Sequence, residues 1–194
     1  MKKNIILAGV GGQGILTIAS IIDLAAMQQG LFVKQAEVHG MSQRGGAVES
    51  HLRIADQPLF SDLIPKGEAD LILSLEPMES LRYLPFLAPS GLIVTASEPF
   101  VNIPDYPDKE MVLTEIIKHP HLIVDAEKLA RQAGNLKTYN MVMLGAASPY
   151  LGVLSSALEN AIVERFSDKG DETVRINLDA FQRGASLTKG EVIP

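Results

Sequence analysis

Residues 5 to 33 constrain the fold of this 194-residue chain more than any other stretch. Ile5-Ile6-Leu7-Ala8 is a short apolar run with β-branched residues, the pattern of a strand buried on both faces. Gly9-Val10-Gly11-Gly12-Gln13-Gly14 follows at once. Ile15, Ile18, Ala19, Ile22, Leu24, Ala25 and Ala26 then keep a helical spacing as far as Gly30, which suits a C-cap. Leu31-Phe32-Val33 opens a second strand. Strand, glycine turn, helix and strand within about 35 residues make a βαβ unit, with a right-handed crossover expected.

Farther along, the pattern changes. Ala47 to Ile54 alternates apolar and polar residues with period 2, which predicts a half-exposed strand. Asp70 to Leu75 reads as a buried strand, Pro77 to Leu87 as a helix and Gly91 to Thr95 as another buried strand. Glu98 to Asp108 contains Pro99, Pro104 and Pro107 and is expected to be an extended loop. A helix over Lys109–Lys118, a strand over Leu122–Val124 and a helix over Ala126–Ala133 continue the alternation. Met141–Leu151, Ala157–Phe166 and Glu172–Leu187 all carry helix-spaced apolar residues, and no strand is expected among them. The expectation is one α/β domain over residues 1–194. It is Rossmann-like with a mostly parallel sheet, an antiparallel excursion after the second strand and a helical C-terminal third.

Composition narrows the function. Hydrophobic residues make up 46% of the chain and the mean hydropathy is +0.15, so a packed core is expected rather than disorder. The net charge of −6 argues against broad capture of nucleic acid or an anionic membrane. No apolar run is long enough to span a bilayer, and Met1-Lys2-Lys3-Asn4 runs straight into the first strand rather than a signal peptide. A cytoplasmic location is therefore the expectation. Cysteine is absent, which excludes thiol nucleophiles and any metal cluster or zinc site held by thiolates of this chain.

Two glycine-rich segments are the candidate site. Gly9, Gly11, Gly12, Gln13 and Gly14 stand between a strand and a helix, where backbone N–H groups face an anion and glycine permits close approach. A dinucleotide pyrophosphate, another phosphate or anion, and a purely structural turn all fit this motif. Glu37 only weakly supplies the acid that a dinucleotide fold places at the end of its second strand. The second segment, His39-Gly40-Met41-Ser42-Gln43-Arg44-Gly45-Gly46, lies beyond that second strand. The two loops follow adjacent strands and are expected to face one crevice. Ser42, Gln43, Arg44, Gly45 and Gly46 are its candidate binding residues, with Arg44 able to fork onto a carboxylate or phosphate or else to pair with Glu37 or Glu49. Asn140 is either the N-cap of an apolar helix or directs its amide at the crevice. His51 reads as a half-exposed packing residue, and His119 and His121 as a surface turn.

Together these segments resemble the gamma-type subunit of the 2-oxoacid:ferredoxin oxidoreductases. The wording of Glu37 to Gly46 is closest to the small (beta) subunits of the indolepyruvate branch. The likeness continues through Asp70-Leu71-Ile72, Ala130 to Asn135, Asn140 to Gly145 and Asn177 to Gly184, and so covers nearly the whole chain in order. It implies a subunit, inactive alone, of an enzyme that converts an aryl 2-oxoacid and coenzyme A to an aryl-acetyl-CoA and carbon dioxide, with ferredoxin as electron acceptor. It also implies thiamine diphosphate, magnesium and iron–sulfur clusters on a larger partner subunit, since this chain lacks both cysteine and the family's Gly-Asp-Gly diphosphate pattern. Self-association of the isolated chain stays open, as do the preferred 2-oxoacid and any residue acting in the chemical step. The rival readings are an NAD(P)-dependent Rossmann dehydrogenase, resting on the first glycine motif alone, and a non-enzymatic scaffold or regulatory domain.

Overall fold

The computed structural model describes residues 1–39, 45–101 and 103–188, with His39 as backbone only. Six strands form one sheet: β1 (Lys2–Val10), β2 (Phe32–His39), β3 (Ala47–Ala55), β4 (Ala69–Ser74), β5 (Leu87–Ala96) and β6 (His121–Val124), in the order β2-β3-β1-β4-β5-β6. β1, β4, β5 and β6 run parallel. β3 runs antiparallel to both β1 and β2, so β2 is parallel to β1 but separated from it by a strand. The first two strands are therefore not adjacent. The chain returns from β2 and fills the place beside β1 with a register that runs unbroken from Lys2↔Ala55 to Val10↔Ala47.

That central position corrects the reading of β3 as half-exposed. Ser50, His51 and Arg53 are buried and hydrogen-bonded rather than solvated, while Glu49 stays partly exposed. Gln35 Nε2 donates to Ser50 Oγ at 3.0 Å, and the Arg53 guanidinium donates to Asn4 Oδ1, Ser61 O and Leu63 O at 2.9–3.1 Å. His51 is likewise buried. Its Nδ1 accepts from the Ile64 amide at 3.0 Å, leaving Nε2 toward Glu49 at 3.6 Å, and its ring meets Phe86 edge-on. Burial holds the His51 pKa below its ordinary value, against the opposing pull of Glu49. Its role is to anchor the 56–64 loop.

The helices are α1 (Ile15–Gln28), α2 (Pro77–Arg82), α3 (Lys109–Ile116), α4 (Ala126–Ala133), α5 (Tyr139–Ala147), α6 (Ser155–Phe166) and α7 (Asp171–Ser186). α2 stops five residues before the expected end at Leu87, because Pro85 cannot extend it; a 3-10 turn at Leu84–Phe86 leads directly into β5. Pro149 shortens α5 in the same way. The main core joins Ile5, Leu7, Leu71 and Val94 of the sheet to α1 and to the helices from α4 onward. Smaller clusters around Ile72 and Ile93 cover the opposite face with Tyr83 and with α3.

α5 is apolar on all sides and is buried from Asn140 to Ala147, as such a helix must be. It crosses α7 at a backbone-to-backbone contact. A Cβ on Gly145 would lie 2.0 Å from Phe181 O, and one on Gly184 would lie 1.9 Å from Val142 O. Among the described residues no helix is long and apolar enough to cross a membrane.

Candidate functional site

The glycine turn between β1 and α1 is built around Gln13. The Val10 amide donates to Gln13 Oε1 at 2.7 Å, and Gln13 Nε2 donates to Leu75 O at 3.2 Å, beyond the end of β4. Gln13 thus ties β1 to the end of β4 from a buried position, with Tyr139 of α5 beside it. Gly14 takes φ +86°, and a Cβ there would lie 2.5 Å from Asn140 Nδ2. Gly12 takes φ +101° with nothing within 4 Å of a built Cβ, so this turn faces open space at Gly12 and close packing at Gly14.

Asn140 does not cap α5. Thr138 holds that position, and Asn140 lies one residue inside the helix with its amide against Gly14 and its Oδ1 accepting from the Met141 amide. The second glycine segment reaches the same place from the far side: the Gly11 amide donates to Gly46 O at 2.9 Å. The two loops meet although their strands are not neighbours. Ser42, Gln43 and Arg44 lie outside the described residues, as do Gly40 and Met41.

A crevice of about 380 Å³ opens at the carboxyl ends of β1, β4 and β5. Gly11 and Gly12 form one wall, and Phe100, Ala126, Lys137 and Tyr139 line the others. The volume falls within the ordinary range for small-ligand sites, about 300–1,000 Å³, and strand ends are where open α/β sheets bind ligands. The charges at its rim are unevenly matched. Glu98 pairs with Lys109 at 2.7 Å and Glu127 with Arg131 at 3.3 Å. Lys137 has no ion-pair partner among the described residues and offers a cation to whatever enters. It was not among the sequence candidates. The signal for it is positional only: Lys137 sits in the turn between α4 and α5, whose other end delivers Asn140 to Gly14.

Part of the wall rests on a buried carboxylate. Glu76 is fully buried at the start of α2 and accepts from the Glu79 amide at 2.7 Å through Oε2. Its Oε1 accepts from the Phe100 amide at 3.4 Å and from the Tyr106 hydroxyl. Burial pushes the Glu76 pKa up, and these three donors oppose the shift. The expected extended loop over Glu98–Asp108 is present among the described residues and is irregular along its length. Among the described residues no three of His, Asp and Glu gather into a metal-binding set.

The model of the pyruvate ferredoxin/flavodoxin oxidoreductase family matches residues 4–187. The chain belongs to that family. It is 40% identical over 97% of its length to the indolepyruvate oxidoreductase subunit IorB of Pyrococcus horikoshii, covering 98% of that protein. The IorB subunit of Thermococcus kodakarensis is 38% identical with the same coverage. Among solved structures, the gamma subunit of a keto/oxoacid ferredoxin oxidoreductase from Geobacter sulfurreducens superposes with a TM-score of 0.71 at 25% identity, over 97% of this chain and 99% of that one. The 2-oxoglutarate:ferredoxin oxidoreductase of Magnetococcus marinus shares the fold at a TM-score of 0.81 and 23% identity. There the whole of this chain corresponds to 32% of a longer polypeptide.

Proposed function

We propose that this chain is the small, non-cluster subunit of a cytoplasmic indolepyruvate:ferredoxin oxidoreductase, and that its strand-end crevice receives the phosphate-bearing part of coenzyme A. The overall reaction is oxidative decarboxylation: an aryl 2-oxoacid loses carbon dioxide, its acyl group passes to the coenzyme A thiol, and the electrons leave to ferredoxin. The two IorB relatives, matched over nearly their whole length, support the substrate class. The Magnetococcus neighbour, solved with 2-oxoglutarate, coenzyme A and succinyl-CoA bound, supports the choice of co-substrate.

One observation carries the crevice reading. Gly11, Gly12 and Gln13, just ahead of α1, line an open crevice that Lys137 also lines; the Gly12 amide has no acceptor and Lys137 no ion-pair partner among the described residues. Backbone donors at the start of a long helix and a point cation are what a phosphate group requires. Gly9 and Gly14 shape the turn, Gln13 and Asn140 brace it, and Gly45 and Gly46 close its far side. Arg44, with Ser42 and Gln43, is proposed as the second contact to the same ligand.

The residues present do not fit the other groups this chemistry uses. A chain without cysteine holds no thiolate-bound cluster, and it has no Gly-Asp-Gly diphosphate pattern. Thiamine diphosphate, its magnesium and the iron–sulfur clusters are therefore assigned to the larger partner subunit, which also meets ferredoxin.

The test uses the complex reconstituted with the larger subunit. Lys137→Ala should raise the KM for coenzyme A roughly tenfold, the worth of one charge-assisted contact, while the KM for indolepyruvate stays within twofold. Gly12→Val should do the same by filling the open wall. An unchanged KM for coenzyme A in both variants would refute the crevice reading.

A further inference from the structure

The strap from Ser97 to Asp108 leaves the end of β5, supplies Pro99 and Phe100 to the crevice wall and returns to the chain at α3. Three prolines remove amides it would otherwise use to pair with the sheet. Its ends are fixed, since the Ser97 amide donates to Val124 O at 2.8 Å and Glu98 pairs with Lys109 at 2.7 Å. Between those ends, the described contacts that tie it to the body of the fold converge on one carboxylate. Glu76 Oε1 accepts from the Phe100 amide and from the Tyr106 hydroxyl.

Glutamate is an unusual helix cap, since Ser, Thr, Asp and Asn serve better through shorter side chains. Here the longer side chain gives one carboxylate two tasks. Oε2 caps α2 through the Glu79 amide, while Oε1 reaches past the helix to the strap. A fully buried carboxylate is expensive to keep, and an aspartate would satisfy α2 alone. The reach to the strap is what the extra methylene adds.

We propose that Glu76, acting through Tyr106 and the Phe100 amide, is a positioning residue that sets the Pro99–Phe100 wall of the crevice and so the affinity for the co-substrate. This rests on the crevice reading above and adds to it a residue that never touches the ligand. The pair holds in place a wall of the crevice that Gly12 and Lys137 also line. When it is lost, the ligand must order the strap on binding, and affinity falls by the cost of that ordering.

Tyr106→Phe is the informative variant, because it removes the strap's hydroxyl and leaves the α2 cap intact. In the reconstituted complex, amide exchange at Phe100 should accelerate by at least tenfold. The KM for coenzyme A should rise about fivefold, with kcat changing by a smaller factor and the thermal midpoint by no more than a few degrees. Glu76→Asp, which keeps a carboxylate for the cap but falls short of the strap, should shift both readouts in the same direction. Faster exchange with an unchanged KM would overturn the positioning role, as would kcat and both KM values worsening together in proportion to lost stability. Unchanged exchange would overturn the pin itself. Lys137→Ala, measured alongside, separates the two ideas: if it weakens coenzyme A and Tyr106→Phe does not, the crevice stands and the pin falls.

Discussion

Asp23 gives the most demanding test of the energetics. It sits half-buried on α1, its Oδ1 has no hydrogen-bond partner, and burial together with the charge of Glu37 raises its pKa to about 6 from 3.8. The folded state therefore holds this proton more tightly than the unfolded state. Between about pH 4 and pH 6 the unfolded carboxyl is already ionised while the folded one is not, so stability falls as the pH rises through that window. Above pH 6 the loss is complete. At 1.36 kcal/mol per unit the shift corresponds to about 3 kcal/mol, and solvent screening of a partly exposed side chain reduces this to about 1–2 kcal/mol. Asp23→Asn removes the ionisation but keeps the shape. Urea unfolding at intervals from pH 4 to pH 8 should show the two proteins nearly equal at the acid end. The variant should then be more stable by about 1–2 kcal/mol at pH 7, with the difference growing through pH 4 to 6. A difference independent of pH, or one in which the native protein gains on the variant as pH rises, would refute the reasoning.

Two further substitutions probe other levels of the structure. Gly184→Ala places a methyl group where Val142 O now sits 1.9 Å from the built Cβ, so α5 and α7 must separate; a loss of at least about 3 kcal/mol in urea unfolding is expected. Arg44→Ala should weaken coenzyme A binding to the complex by about ten- to a hundredfold, with Arg44→Lys recovering only part of it because the planar fork is gone. If Arg44→Ala weakens the association of the subunits alone, that loop docks the partner and does not bind the ligand.

What the sequence makes legible here is local. The buried strands at Ile5–Ala8 and Leu71–Leu73 and the helices at α1, α4, α6 and α7 follow from periodicity and punctuation. Sheet order does not, because the place of β3 beside β1 depends on pairing residues about 50 positions apart, and no window contains both. The same limit hides Glu76: Leu75-Glu76-Pro77 reads as a helix start, and the tyrosine that gives the carboxylate its second task lies thirty residues on. Gln13 shows a different limit. An amide beside a glycine turn looks identical whether it faces a ligand or braces the backbone, and here it is bound on both sides by Val10 and Leu75. Alternation points to a half-exposed packing role for His51, and the structure packs it but buries it, because alternation records two faces and not what lies over them.

The inserted strand also bears on the readings that the first glycine motif left open. In a dinucleotide fold the second strand adjoins the first, so an acid at its end meets the ribose of a cofactor whose pyrophosphate rests on the glycine turn. Here β3 lies between them, and at about 4.8 Å per strand Glu37 is displaced by roughly 5 Å, one strand spacing, from the place where that contact is made. The antiparallel return has a second effect. Because Ala47 pairs with Val10, the loop after β2 must end beside the glycine turn, and Gly46 O takes the Gly11 amide that a pyrophosphate would use. Gly12 is left facing the crevice, and Lys137, without an ion-pair partner among the described residues, lines another of its walls. One topological change thus removes the ribose contact, occupies one backbone donor of the glycine turn and brings a second glycine loop to the crevice, which is in keeping with the proposed co-substrate rather than a dinucleotide.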